Sequence, residues 1–262
     1  VSALVFSVIA ISNSVIAFDA VNHCKSPLKL SSTTDWYPYI YQVNTGESTG
    51  LDVELLSIIL KRLGCQLEVV HFPERRALYE LNKGHFDIGL GASKNAKRLN
   101  TFFFSAPYRL ERNKFAFRTQ DDDISSITTL QNLLRLNKVI AMNYAGWYGD
   151  EIEQAKHHYR HFNYNSTAAR RLKMLTNNRV DVVIDDEVVL CTELLITNYD
   201  NIQIHQNVLY EAPVHYIFNK KSVSAKFLND FNKVLNSMRD DGSLQEYFNS
   251  RLPDKCQQLN LH

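Results

Sequence analysis

Apolar runs of strand length alternate along this chain with amphipathic stretches of helix length, the pattern that parallel strands joined by crossover helices impose. Leu28–Ser32 reads as the first strand. Between Leu51 and Leu63 the apolar residues Leu51, Leu55, Ile58, Ile59 and Leu63 recur at helical spacing and stop at Gly64, which suits the turn that ends a helix. A strand over Leu67–Phe72, a short helix over Arg75–Asn82 ending near Gly84, and a strand over Phe86–Leu90 follow, and the last runs into the loop Gly91–Asn95. A second unit begins beyond Lys114–Arg118 and an acidic linker, Asp121–Asp123. It has a helix at Leu130–Leu136, a strand at Val139–Met142, helices at Glu151–Lys156 and Ala168–Leu175, and a strand at Val180–Ile184. Two helices, Ala225–Asn236 and Ser243–Leu252, parted by Asp241-Gly242, read as the tail.

The two units share a motif. Lys83-Gly84-His85-Phe86-Asp87-Ile88 in the first and Asn178-Arg179-Val180-Asp181-Val182-Val183 in the second each follow a helix, turn, and drop into a strand headed by an aspartate. The expectation is an α/β protein of two similar lobes with the working surface between them. With 262 residues, 45% of them hydrophobic, the chain is long enough for two modest cores.

Charge narrows the partner. Lys and Arg number 29 against 28 Asp and Glu, a formal charge of +1, so no net field recommends nucleic acid or an anionic membrane surface, and a neutral or zwitterionic small molecule fits better. Val1–Ala17 is uncharged and almost wholly apolar and ends Val15-Ile16-Ala17, which reads as an export signal cut after Ala17. It is broken at Ser12-Asn13-Ser14 and shorter than the roughly 20 residues of a bilayer span. No Lys or Arg precedes it, which implies a truncated or misassigned start, and the mature chain is expected to be soluble.

Cys24, Cys65, Cys191 and Cys256 lie far apart with none of the C-x-x-C spacing of zinc or redox sites, so disulfides in an oxidising compartment are the natural reading, against four buried free thiols. Cys24 precedes the strand at Leu28 and Cys65 the strand at Leu67. If those strands are parallel neighbours, the two thiols share a sheet edge, which pairs Cys24 with Cys65 and leaves Cys191 for Cys256.

In open parallel sheets ligands bind beyond the carboxyl ends of the strands. After the first strand come Trp36-Tyr37-Pro38-Tyr39, where Trp36 offers a stacking face and Tyr39 serves equally well as core. After the third come Ser93 and Arg98; the guanidinium matches a carboxylate with paired donors, although an Arg beside Lys97 also suits a solvated surface. After the late strand come Asp185-Asp186-Glu187, which either meet a ligand cation or cap the helix Val188–Leu195.

Gly50-Leu51-Asp52-Val53-Glu54-Leu55-Leu56, then Arg76-Ala77, Gly84-x-x-Asp87, Arg98 and Phe104-Ser105-Ala106-Pro107-Tyr108, in that order, resemble the family 3 extracellular solute-binding proteins, from about Leu28 to Leu252. These are the periplasmic components of ABC importers for polar amino acids. The resemblance implies the two-lobed type II periplasmic binding fold, with one lobe at 24–113 plus 219–262 and the other at 114–218, hinged near Lys114–Arg118 and Pro213–Phe218. It implies a monomer that needs no cofactor or metal, does no chemistry, and hands a small ligand to an ABC permease. Arg98 matches the residue that grips the ligand carboxylate, Ser93 its supporting hydroxyl, Trp36 the stacking aromatic, and Asp186, ahead of Asp185, the acid for the ammonium. Two departures stand out. Asn95 replaces the usual Thr, and the second-lobe loop Asn143–Gly149 carries the bulky Tyr144, Trp147 and Tyr148 where small hydroxyl residues are usual. Tyr144, Trp147 and Arg76 are therefore expected at the site of a less characterised branch of the family. The alternatives are an exported dehydratase of the same fold acting on prephenate-like substrates, with an acid or base from Asp185, Asp186 or Glu187, or a component that presents ligand to a sensor.

Overall fold

The computed structural model describes residues 24–32, 36–44, 46–72, 74–143, 146–165 and 167–257, so the expected leader at 1–17 and Tyr144 lie outside the described residues. Strand β1 (Leu28–Ser32) buries Leu28, Leu30 and Ser32 in strict alternation, the period of a strand with one face in a core. The short pair β2 (Tyr41–Gln42) and β3 (Ser48–Thr49) leads into α1 (Leu51–Arg62), which carries Asp52 and Glu54 in its first turn and Lys61 and Arg62 in its last, each sign at the favourable end of the helix dipole. Strand β4 (Leu67–His71) lies parallel to β1 with Leu28 opposite Leu67. That register brings Cys24 and Cys65 to one edge, where they are bonded. Then follow α2 (Glu74–Lys83), β5 (Ile88–Ala92) on the other side of β1, α3 (Ala96–Thr101) and β6 (Phe102–Phe104).

A ten-residue strand, β7 (Arg109–Arg118), carries the chain into the second half. This half contains α4 (Asp122–Ser125), α5 (Leu130–Arg135), β8 (Ile140–Met142), α6 (Asp150–Ala155), β9 (Phe162–Tyr164), α7 (Ala168–Thr176), β10 (Val182–Asp186), α8 (Glu187–Thr197) and β11 (Ile202–Ile204). A second long strand, β12 (Tyr210–Asn219), returns to the first half, which α9 (Ala225–Asp240), α10 (Ser243–Asn249) and α11 (Asp254–Gln257) complete.

The result is a two-lobed α/β molecule whose sheets meet at two crossover strands. The strand order is β4-β1-β5-β12-β7-β10-β8-β9, and β12 pairs with β7 through Tyr210–Val214 but with β5 from His215 onward. One core has Leu30, Leu55 and Phe231 at its heart and reaches Val188 and Val189 of the second half, and another, within the second half, has Phe115, Leu133 and Ile184.

Three local expectations change. The acidic linker is the start of α4, held because Asp121 pairs with Arg118 at 2.9 Å and Asp123 with Lys138 at 2.6 Å. The third strand begins at Ile88 and the late strand at Val182, two residues after the expected starts, because the repeated aspartates act just before them. Asp87 accepts the Lys29 backbone N–H through Oδ2 at 2.8 Å and Asp181 accepts that of Val139 at 2.8 Å, while each aspartate's own N–H bonds back to the same residue's carbonyl. The duplicated motif is thus a strand-start clamp, used once per lobe. The third change is that the crossover strands extend well outside 114–118 and 213–218, since polar residues of β7 are buried by partners that only the folded chain supplies.

The second disulfide, Cys191–Cys256, ties α8 to the C-terminal helix α11 across 65 residues of sequence. Replacing both cysteines by serine is expected to lower unfolding stability by roughly 2–5 kcal/mol. Urea denaturation followed by circular dichroism would measure it, and an unchanged midpoint would mean that the bond ties down nothing the fold needs.

Candidate functional site

A cavity of about 240 Å³ opens between the two halves, on the side where the parallel strands end. Beyond β1 the backbone of Trp36 exchanges hydrogen bonds with Ile40 (2.7 and 3.2 Å), a tight turn that sets the indole against the cavity. The ring lies so close to Gly91 that a Cβ there would come within 2.7 Å of it, and Gly91 has φ +62°, so a glycine is needed on both counts. The Gly91 N–H donates to the Tyr108 hydroxyl at 3.0 Å, which fixes the loop that carries Ser93. Asn95 caps α3 by accepting the Arg98 N–H at 2.9 Å, and the Arg98 side chain curls back so that Nη1 donates to the Ser93 carbonyl at 3.0 Å. The guanidinium thereby reaches the cavity wall, where burial lowers its pKa and the carboxylates of Glu111 and Glu153 oppose that shift.

From the other half come Asn143, Gly146, Trp147 and Tyr148. The Tyr148 hydroxyl accepts the Asn143 N–H at 3.0 Å, and its ring fills the space where a Cβ on Gly146 would stand, 2.6 Å away. Burial raises the Tyr148 pKa, so the phenol stays protonated. Asp185, at the end of β10, also lines the cavity; it pairs with the buried Arg171 and accepts the Asp186 N–H at 2.9 Å.

Glu111 reaches the same cavity from β7. Along that strand Arg109, Glu111, Asn113 and Phe115 share one buried face. Glu111 accepts a long hydrogen bond from Asn113 Nδ2 (3.3 Å), and burial, with Asp186 and Asp185 nearby and Arg109 opposing, pushes its pKa up to about 8. Ser31 of the first half also lines this space, and its buried hydroxyl has no hydrogen-bond partner among the described residues.

Behind the cavity lies a buried ionic cluster. Arg109 donates from Nε and Nη2 to the two oxygens of Asp52, both at 3.2 Å, and its guanidinium carbon lies 3.5 Å from the Tyr39 ring centroid. The Tyr108 hydroxyl donates to Asp52 at 2.5 Å and the Tyr216 hydroxyl to the Asp52 carbonyl at 2.8 Å. On the far side Arg109 Nη1 faces Asp186 Oδ2 at 4.0 Å. Burial raises the Asp52 pKa even against Arg109, whereas the Arg109 pKa, which burial alone would lower, is held well above its usual value by Asp52 and the surrounding groups.

Of the residues expected at the site, Trp36, Ser93, Arg98 and Trp147 line the cavity together. Asp186 does not. It is fully buried beneath the wall, where Oδ1 accepts the Tyr39 hydroxyl at 2.9 Å and caps α8 by accepting the N–H groups of Val188 and Val189 at 3.0 and 3.3 Å. Successive strand residues face opposite ways, so Asp185 takes the cavity face and Asp186 the cluster. Arg76 is exposed and outside the lining; Ala77 and Leu81 of α2, one turn apart, face the cavity, and Arg76 projects about 100° around the helix from Ala77. Sequence reasoning missed Glu111, Arg109 and Asp52. Their signal is periodic: charges at alternate positions running into the apolar Phe115, and an acid set between Leu51 and Val53 on a helix that buries both.

The sequence profile of the bacterial extracellular solute-binding proteins, family 3, matches residues 28–251. A Bacillus subtilis protein named "Probable amino-acid-binding protein YxeM" is 25% identical over 227 residues, 85% of this chain and 84% of its own. The L-cystine-binding protein TcyA of Bacillus subtilis is 24% identical over 229 residues, 85% of this chain and 80% of its own. Among solved structures, an ancestral arginine-binding protein bound to arginine superposes with a TM-score of 0.74 at 20% identity, over 87% of this chain and 99% of the other.

Two stability measurements check the electrostatics. Arg109→Gln strands buried carboxylates and is expected to cost roughly 3–5 kcal/mol in urea denaturation, with part of the loss recovered by adding Asp52→Asn. Glu111 has a folded pKa above its usual 4.5, so the stability it allows is full below about that pH and is lost as pH rises through about 8. Glu111→Gln should therefore melt several degrees above the wild type near pH 9 and level with it near pH 5, whereas a gap independent of pH would refute the assignment.

Proposed function

This chain belongs to the bacterial extracellular solute-binding proteins, family 3, and on that premise we propose that it captures a small polar, amino-acid-like solute between its lobes, outside the cytoplasm, and delivers it to an ABC importer. The observation that carries this reading is the cavity itself. It is lined from both halves, joined by two crossover strands, and holds a guanidinium on one wall and carboxyl groups on others. About 240 Å³ suits one amino-acid-sized molecule. The names of the relatives, which speak of amino acids, cystine and arginine, point to the same class of ligand.

The ligand docks first on the lobe of 24–113 and 219–262. There Arg98 grips its anionic group, the Ser31 hydroxyl gains a partner, and Trp36 covers its apolar part. The lobe of 114–218 then closes by bending at the β7–β12 pair, bringing Trp147, Tyr148 and Asp185 over the ligand; closure is stable only with contacts that the open state lacks. The apolar stretch at 1–17 directs export, and the two disulfides suit the oxidising compartment beyond the membrane.

A thermal-shift screen of the twenty L-amino acids, with calorimetry on those that bind, tests the proposal, because a ligand that binds only the folded state raises its melting temperature. At least one amino acid is expected to bind, and Arg98→Ala is expected to cost it roughly 2–5 kcal/mol. Wild-type affinity in Arg98→Ala would remove Arg98 from the site, and no amino acid shifting the melting temperature would remove this class of ligand.

A further inference from the structure

We propose that Glu111, on the crossover strand, receives the ligand's cationic group, and that Asp186 has no part in binding it. The inference rests on the solute-binding reading above and concerns how that same cavity selects its ligand.

Four acids converge behind or upon the cavity, and three are already committed, Asp52 to Arg109 and Tyr108. Asp186 spends one oxygen on the Tyr39 hydroxyl and two backbone N–H groups of α8 and turns the other toward Arg109, away from the cavity. Asp185 is on the wall but pairs with the buried Arg171 and accepts the Asp186 N–H. Glu111 is buried on the wall, has no ion pair among the described residues, and holds only the 3.3 Å contact from Asn113. Nearby cations do not serve it: Arg109 gives Nε and Nη2 to Asp52, turns Nη1 toward Asp186 and stacks on Tyr39, and Arg98 is bonded to the Ser93 carbonyl. A buried carboxylate without a counterion is costly, and a carboxylic acid is tolerated.

The titratable groups around Glu111 are Asp185, Asp186, Arg109 and the Tyr148 phenol, with Arg98 within electrostatic reach. Burial and the two aspartates, with Arg109 opposing, keep Glu111 in its acid form at neutral pH. An ammonium or guanidinium arriving in the cavity favours the ionised form. The acid's O–H bond breaks, its proton leaves to bulk water, and the carboxylate pairs with the cation. A neutral cavity group thus becomes a counterion only for a ligand that carries positive charge. A zwitterion meets Arg98 with its anion and Glu111 with its cation, and an anion lacking the cation finds no partner for the second contact.

Calorimetry at about pH 7, in buffers of different ionisation heat, measures the protons released per ligand bound. The probes are the tightest-binding of the twenty L-amino acids and its 2-hydroxy analogue, which lacks the ammonium. The wild type is expected to release close to one proton on binding the amino acid, given a free-site pKa of about 8, and none on binding the hydroxy acid. Glu111→Gln, an isosteric change whose folding is checked by its melting curve, is expected to release none and to bind the amino acid roughly thirtyfold or more weakly, with little change for the hydroxy acid. Asp186→Asn, which removes one of the charges that raise the Glu111 pKa, is expected to lower the proton count without abolishing it.

Amino-acid binding without proton release, or full affinity in Glu111→Gln, would overturn this inference while the Arg98 result still upheld the solute-binding reading. Proton release abolished by Asp186→Asn but kept in Glu111→Gln would return the role to Asp186. Failure of all twenty amino acids to bind would take down the reading and this inference together.

Discussion

Everything near the cavity depends on one buried cation. The Arg109 guanidinium is 2% exposed at its side chain, so the fold must surround it with groups that replace its hydration. Asp52 comes from α1, the Tyr39 ring from the turn after β1, and Asp186 from the end of β10. One side chain at the start of a crossover strand therefore fixes a helix of the first lobe, a loop of the first lobe and a strand end of the second against one another. The Tyr39 hydroxyl's bond to Asp186, between residues 147 apart in sequence, joins the lobes at the same point.

This arrangement reassigns the acids. An aspartate buried beneath the wall, with one oxygen on a tyrosine hydroxyl and a helix cap and the other turned to an internal cation, is out of a ligand's reach, so recognition of positive charge passes to a carboxyl group on the wall itself. The same cluster keeps Glu111 in a buried, acid-rich surrounding where its protonated form is favoured at neutral pH. Selectivity then comes from desolvation, since the cavity rewards the charge that lets Glu111 ionise.

Much of this was legible in the chain. The switch from strand to helix spacing located the parallel elements, the rule that ligands sit beyond strand ends singled out the loops bearing Trp36, Ser93 and Arg98, and the family resemblance singled out the loop bearing Trp147; all four residues line the cavity. The cysteine pairs followed from the parallel register of β1 and β4. The crossover strands hid their length because Arg109-Leu110-Glu111-Arg112-Asn113-Lys114 reads as surface, and only Asp52 and the partner strands make its alternate charges tolerable inside. Which of Asp185 and Asp186 meets the cavity was undecidable from order alone. The pleat puts adjacent residues on opposite faces, and the register against β7, Asp185 opposite Lys114 and Asp186 opposite Asn113, is a property of the folded sheet.

A crystal structure of the protein grown with its tightest-binding amino acid tests the central claim most directly. The ligand's anionic end is expected on Arg98, its cationic end within hydrogen-bond distance of Glu111, and Arg109 still seated between Asp52 and Asp186. A ligand ammonium resting on Asp186, with Arg109 displaced to make room, would contradict the claim.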